Sequence, residues 1–273
     1  MDKEITVIVT LYKTPEDKLR SLQQYKNYKV LIFDQSTQIN LKKKIQNYSK
    51  INCEYYFSKK NIGLPKASNF LLSKVKTKYC LFTQPDIEIN NRSIQNLKSP
   101  LKRRKDVIFA GPTFLHKKKE NVKMKKNYKI KKKLNAACML CDTKKLKQIG
   151  FFNEDFFLYW EDVFLMRKIN LSKFKMTQVL NSYAKHSSSQ SSAKTDEINF
   201  IRNLNFKYGE LLFDFKTKKF RTLKMIRQII QNIIYCIFNL ILFRRNFFLI
   251  NLANIVGISK FILFYFKTNL KQN

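Results

Sequence analysis

Four apolar runs of strand length punctuate the first third of this chain: "ITVIVTLY" (5–12), "KVLIFD" (29–34), "CEYYF" (53–57) and "YCLFT" (79–83). Between them "PEDKLRSLQQY", "LKKKIQNY" and "PKASNFLLSKV" carry helical spacing. Two of the runs are too continuous to face water on either side. Pro15 and Pro65 stand where first helical turns begin. Alternation of this kind predicts an α/β fold with a mostly parallel sheet flanked by helices. Further strands are expected at 107–114, 137–141 and 175–186. Sheets of this class take ligands beyond the carboxyl ends of their strands, so residues at those ends become the candidates for chemistry.

A chain of 273 residues can bury one sizeable core and a smaller appendage, and 44% hydrophobic content argues against disorder. A net charge of +35 points to polyanionic partners: nucleic acid, an anionic membrane, or phosphorylated substrates. Lys, Asn, Ile and Phe are abundant throughout, so compositional bias explains much of that excess but not its clustering. The aromatics lie in apolar runs rather than among exposed basic residues, and no nucleic-acid partner is expected.

The five cysteines are Cys53, Cys80, Cys138, Cys141 and Cys236. "MDKEITVIVTLY" does not read as a signal peptide, and an odd cysteine count then suggests a reducing cytoplasm and free thiols. "CMLC" (138–141) has metal-ligand spacing, but it lies in an apolar run without a second pair or a nearby His, so a metal is rejected there.

Lysines crowd "HKKKENVKMKKNYKIKKK" (116–133), read as a solvated loop with membrane attraction as a secondary effect. The tail changes character: "IIQNIIYCIFNLILF" (229–243) and "NFFLINLANIVGISKFILFYF" (246–266) flank Arg244 and Arg245. The first run is too short to span a bilayer, and Asn251, Asn254 and Lys260 interrupt the second. A pair of interfacial amphipathic helices fits better, against the other reading of a packing subdomain or dimer interface. The expected division is a catalytic domain over 1–220 and a basic, apolar helical tail over 221–273. That tail would place the protein in the cytoplasm, peripheral on the inner face of the cell membrane.

Asp34 ends the second strand, where a carboxylate can accept a hydrogen bond from a nucleotide base; it is equally a common turn or cap residue. Gly63 in "NIGLPKASNF" precedes a helix start, whose amides can hold an anion, and with Asn61 it can also be plain turn chemistry. Asp86 and Glu88 leave the fourth strand two apart, in reach of a hard cation bridging phosphates, or they line a solvent-facing turn. His186 ends a strand before a serine-rich loop. "GFFNEDFFLYWEDVFLMRK" (150–168) gathers Glu154, Asp155, Glu161 and Asp162 among aromatics, where desolvation raises carboxyl pKa values.

The set "VIVTLYKTP" (7–15), "FDQST" (33–37), "NIGLPKASN" (61–69), "TQPDIEI" (83–89), the 150–168 block and His186 resembles the family-2 inverting glycosyltransferases of the GT-A fold, and within them the rhamnosyltransferase-like branch. The resemblance covers about residues 5–190. It implies a nucleoside-diphosphate-sugar donor (dTDP- or UDP-linked), Mg²⁺ or Mn²⁺, and a glycan or lipid-linked acceptor in surface polysaccharide synthesis. By that resemblance Thr10, Asp34, Asn61, Gly63, Asn69 and Asp86 lie on the donor side. Asp86 and His186 attend the metal, Asp162 is the catalytic base, and Glu161, Trp160 and Asp155 face the acceptor. Gln84 stands where many members have Asp, and Phe164 replaces a second Asp common after the E-D pair. The competing readings are a polyanion-binding protein and a degenerate relative that only binds a sugar nucleotide. A nucleotidyltransferase would show a glycine-rich phosphate loop, which "LYKTPEDK" lacks. A homo-oligomer and the anionic membrane surface complete the expected partners.

Overall fold

The computed structural model describes residues 2–36, 41–49, 51–115, 127–187 and 191–270. They form two compact units, Met1–Phe152 with Leu165–Ala193, and Asn153–Phe164 with Lys194–Asn273.

The first unit holds the sheet. Strands β1 (Ile5–Leu11), β2 (Lys29–Asp34), β3 (Cys53–Phe57) and β4 (Tyr79–Thr83) lie parallel in the order β3-β2-β1-β4. Helices α1 (Glu16–Arg20), α2 (Leu41–Ser49) and α3 (Leu64–Lys74) make the crossovers that parallel pairing requires. Alternate side chains feed two cores. Ile5, Val7, Val9, Val30 and Ile32 enter one, while Ile8, Leu31, Phe33, Cys80 and Phe82 enter the other. Burial on both faces is why these strands read as unbroken apolar runs.

Beyond β4 the sheet turns mixed. Strands β5 (Ile87–Ile89), β6 (Val107–Phe114), β7 (Tyr128–Lys131), β8 (Cys138–Asp142) and β9 (Lys175–His186) complete it. β8 is antiparallel to both β4 and β6, β6 runs parallel to β9, and β9 pairs antiparallel with β5 and β7. The sheet flanked by helices stands as expected, with its parallel character concentrated in the first four strands. β7 lies inside the lysine-dense stretch read as loop, paired to β9 from Tyr128 to Lys131; residues 116–126 of that stretch lie outside the described residues. Two further helices, α4 (Asn91–Arg103) and α5 (Thr143–Ile149), were not marked by the sequence pattern. Pro100 falls inside α4 and disguises it, but the Asn90 side chain caps its start by accepting from the Ser93 N–H.

Cys138 and Cys141 enter opposite cores, as positions three apart on a strand must, so "CMLC" cannot chelate one ion. Among the described residues all five cysteines are free.

Helix α6 (Glu161–Asn170) begins in the second unit. That unit also contains α7 (Asp196–Lys216), α8 (Thr222–Ile241) and α9 (Arg245–Asn269). Its core is Phe156, Tyr208, Leu211, Leu212, Ile258 and Phe261. α9 packs on α7 closely enough that a Cβ on Gly257 would lie 2.4 Å from the Leu204 carbonyl oxygen. Asn251, Asn254 and Lys260, expected to interrupt this run, leave α9 continuous. Asn251 returns its amide to the Phe247 carbonyl at 2.7 Å, and Lys260 reaches Asn205 Oδ1 at 3.1 Å. Among the described residues α9 is the one helix long and apolar enough to cross a membrane.

Candidate active site

The donor-side candidates belong to the first unit: Thr10 in β1, Asp34 at the end of β2, Asn61 and Gly63 after β3, Asn69 in α3 and Asp86 after β4. Thr10 is half-buried, in register with Phe33 of β2. After β1 the chain turns at Lys13 with φ 45°, and the Lys13 N–H donates to Ser36 Oγ at 2.7 Å. The far end of the serine-rich loop is fastened to the same place: the Ala193 N–H donates to the Lys13 carbonyl at 3.0 Å and Thr14 Oγ1 to the Ser191 carbonyl at 3.0 Å.

Asp34 has no exposed surface. Its Oδ1 accepts the Ser36 N–H at 2.8 Å and its Oδ2 the Tyr55 hydroxyl at 2.5 Å. Burial, and then the Asp34 carboxylate, push the Tyr55 phenol well above its ordinary range. Asp34 thus orders the turn and Tyr55, with lone pairs left on each oxygen. Gln35 Oε1 accepts the Ile62 N–H at 2.8 Å, fixing the next loop. There Asn61 Oδ1 accepts the Gly63 N–H at 3.1 Å, and Gly63 adopts φ 88°, a conformation open to glycine, before α3 begins. Asn69 was expected on the donor side. Both ends of its amide bond the Phe152 backbone instead, at 2.9 and 3.1 Å, so its side chain is taken up in positioning residue 152.

Asp86 and His186 meet. The β5–β9 register sets Ile87 opposite His186, and His186 Nε2 lies 3.5 Å from Asp86 Oδ2. Asp86 is 3% exposed, and its carbonyl accepts the Ser187 N–H at 3.1 Å. The 83–89 backbone is braced by a 3₁₀ turn at Ser21–Tyr25. Ser21 Oγ donates to the Pro85 carbonyl at 2.7 Å, Gln24 clamps the Ile87 carbonyl and Ile89 N–H at 2.7 Å each, and the Tyr25 hydroxyl bonds Thr83 Oγ1 at 2.7 Å. Sequence reasoning missed Ser21 and Gln24; their only signal is that polar residues occupy an otherwise amphipathic segment. A cavity of about 330 Å³ opens beside Asp86, lined from α1 by Asp17, Lys18 and Arg20 and opposite by Pro85 and Glu88.

Among the described residues no three His, Cys, Asp or Glu side chains share one metal-binding point. One carboxylate and one imidazole still suit a Mg²⁺ or Mn²⁺ ion that takes its other ligands from phosphate and water. The residues present therefore fit such an ion.

The acidic segment lies in the second unit. Tyr159 and Trp160 adopt φ 67° and 68°, a left-handed conformation that is costly for bulky side chains. The double turn drops Trp160 between Phe206 and Phe213, with ring centroids at 5.6 and 5.3 Å. A Cβ on Gly209 would come within 2.8 Å of Trp160 Cδ1. Trp160, expected to face the acceptor, is thus largely a packing residue. Asp155 holds Lys216 at 2.6 Å, and its carbonyl accepts the Tyr208 hydroxyl at 3.1 Å. Its carboxylate serves the fold of this unit.

Glu161 and Asp162 open α6, where carboxylates suit the helix dipole. Glu161 is 6% exposed, and its Oε2 has no hydrogen-bond partner among the described residues. Its carboxyl is pushed up to about 8, first by burial and then by the neighbouring Asp162. The shift favours the protonated form of Glu161. Asp162 is half-buried.

Residues 7–175 match the family model described as "Glycosyl transferase family 2". The chain belongs to glycosyl transferase family 2. Solved structures agree with the family-2 fold. TarS 1–349 from S. aureus in complex with UDP is 15% identical over 94% of this chain and 91% of its own, with a TM-score of 0.54. TarS 1–349 in complex with UDP-GlcNAc is 19% identical over 76% and 66%, with a TM-score of 0.52. The mannosyltransferase PcManGT from Pyrobaculum calidifontis, in complex with GDP-Man and Mn²⁺, is 12% identical over 77% and 64%, with a TM-score of 0.55. This family-2 chain spans only 42% of the longer S. aureus TarS structure. No curated protein matches its sequence.

Proposed function

We propose that this family-2 chain transfers a sugar from a nucleoside-diphosphate sugar to a hydroxyl of a glycan or lipid-linked acceptor, with inversion at the anomeric carbon. The observation that carries the reading is the pairing of buried Asp86 with His186 at the carboxyl end of β4 in a family-2 sheet. Neighbours of the same fold are solved with UDP-GlcNAc and with GDP-Man and Mn²⁺, which supports a sugar-nucleotide donor and a divalent ion.

In this reading Asp86 and His186 hold the ion. A bound Mg²⁺ or Mn²⁺ supplies positive charge to the diphosphate oxygens as they take up the leaving electron pair. Thr10, Asp34 and the Asn61–Gly63 turn shape the nucleotide side. As the acceptor oxygen bonds the anomeric carbon, the bond from that carbon to the diphosphate breaks and the hydroxyl proton passes to the Asp162 carboxylate. Positioned base catalysis of this kind contributes on the order of 10²–10⁴-fold. Glu161 beside it and Asp155 stay the acceptor-side candidates of this reading.

Residues 1–220 form the catalytic part of this proposal and 221–273 its tail. The protein then works on the cytoplasmic face of the membrane in surface polysaccharide synthesis, with rhamnose as the sugar its branch resemblance suggests.

Calorimetric titration of UDP, dTDP and GDP, each with and without Mn²⁺, tests the donor reading. One nucleotide should bind in a metal-dependent way. Failure of all three to bind the folded protein would overturn it.

A further inference from the structure

The second unit carries an arrangement that transfer chemistry does not use. In α8 the asparagines point inward and a row of isoleucines outward. Asn232 and Asn239 are buried, and their amides bond the Gln228 and Tyr235 carbonyls at 2.7 Å each. Asn254 of α9 donates to Asn232 Oδ1 at 3.0 Å, tying the two helices together through amides. The opposite face presents Leu223, Ile226, Ile230, Ile234, Ile237 and Ile241, which are 44% to 82% exposed. Their spacing of three and four places them in one stripe about 27 Å long.

At the end of the stripe the chain turns at Phe243, which is 94% exposed and held at φ 52°, and Arg244 and Arg245 follow at once. A strained turn that presents a phenyl ring outward makes little sense in water. α7 carboxylates answer two of the basic residues here, Glu210 and Asp214 holding Lys224 and Asp196 holding Arg245, but the tail's own charges are of one sign. No Asp or Glu occurs after Asp214, while Lys and Arg number eleven from Lys216 to Lys271. Exposed Arg221 and Arg227 stand near the start of the stripe and exposed Arg244 lies just past its end.

We infer that α8 lies in the plane of an anionic lipid surface, with its isoleucine stripe and Phe243 in the acyl boundary and the flanking arginines among the headgroups. An apolar face with cationic flanks is the chemistry of an interfacial helix. The inference sharpens the membrane placement proposed above and is independent of the donor reading.

A spanning helix is disfavoured although α9 has the length for one. α9 packs along α7, which carries Arg202, Lys207, Glu210 and Asp214, and those charges would have to enter hydrocarbon with it. A second copy of the chain is disfavoured by charge. Two α8 stripes paired antiparallel about a two-fold axis would bring Arg221 and Arg227 of one copy towards Arg244 of the other, with no tail carboxylate to separate them.

The test is flotation of the full chain with vesicles of phosphatidylcholine and phosphatidylglycerol at about 7:3, against phosphatidylcholine alone, with the solution mass read by light scattering. The protein should float with the anionic vesicles only. The double substitution Ile234→Asp with Ile237→Asp changes exposed positions and should abolish flotation, while circular dichroism and Trp160 fluorescence stay unchanged. Arg244→Gln should weaken partition by about fivefold. Absence of flotation by the folded wild type would overturn the inference, as would undiminished flotation of the double variant. A dimer in solution that the same double variant splits would overturn it too, by assigning the face to a second copy.

Discussion

Replacing Glu161 with glutamine isolates the environment at the head of α6. The folded carboxyl is pushed from an ordinary 4.5 up to about 8, chiefly by burial. Below pH 4.5 the folded and unfolded chains both hold the proton, so the shift contributes nothing. Between 4.5 and 8 the unfolded chain ionises while the folded one stays protonated, so wild-type stability falls as pH rises. Above 8 the full cost is present. A difference of about 3.5 pH units sets a ceiling of roughly 5 kcal/mol, and relaxation of a real interior reduces the expected value to about 2 kcal/mol. A glutamine amide cannot ionise, so Glu161→Gln should gain about 2 kcal/mol over wild type between pH 5 and pH 8.5. For a chain of 273 residues that is a melting-temperature gain of about 3–4 °C. Any constant cost of burying the new amide cancels in the difference between the two pH values. Trp160, the chain's single tryptophan, adjoins the site and reports unfolding of this unit in urea. A stability difference that stays flat from pH 5 to 8.5 would show that Glu161 ionises normally in the folded state, and the reasoning would fail.

Asp162→Asn should lower sugar transfer at least ~10²-fold while leaving nucleotide affinity unchanged; transfer assays and calorimetry on one preparation separate the two, and surviving activity would move the base elsewhere. Asp86→Asn should remove the Mn²⁺-dependent part of nucleotide binding, and His186→Ala should weaken it less. Equal binding with and without Mn²⁺ in the wild type would remove the ion from this site. Gly257→Ala places a methyl 2.4 Å from the Leu204 carbonyl oxygen, so despite a better helix propensity it should destabilise the second unit by about 1–3 kcal/mol in urea titrations. A stabilised variant would mean that α7 and α9 can part without cost.

The placement of the candidate residues was legible where local chemistry suffices. Asp34 ends and Asp86 follows strands that unbroken apolar runs made readable, and the E-D pair opens a helix. Asn69 was a donor-side expectation of the resemblance, carried by the motif around it. Only folding reveals the Phe152 backbone beside it. Ser21 and Gln24 gave almost no signal, because a side chain that braces a distant backbone leaves no periodicity of its own. Trp160 was an acceptor-side expectation of the resemblance; only folding shows two left-handed residues setting it between Phe206 and Phe213.

The sequence by itself determined seven of the nine strands among the described residues, all but β5 and β7, that the first four alternate with helices as a parallel set does, and that the tail is apolar, basic and free of carboxylates. These follow from periodicity and composition, which are local properties. Tertiary structure alone decided that the sheet turns mixed after β4, that β5 and β9 bring Asp86 to His186 from far apart in the chain, and that Glu161 loses its water. It also decided that α8 hides its asparagines and shows its isoleucines. Hydrogen-bond pairing and desolvation depend on which segments meet, and a chain writes the shape of each segment far more plainly than the identity of its partner.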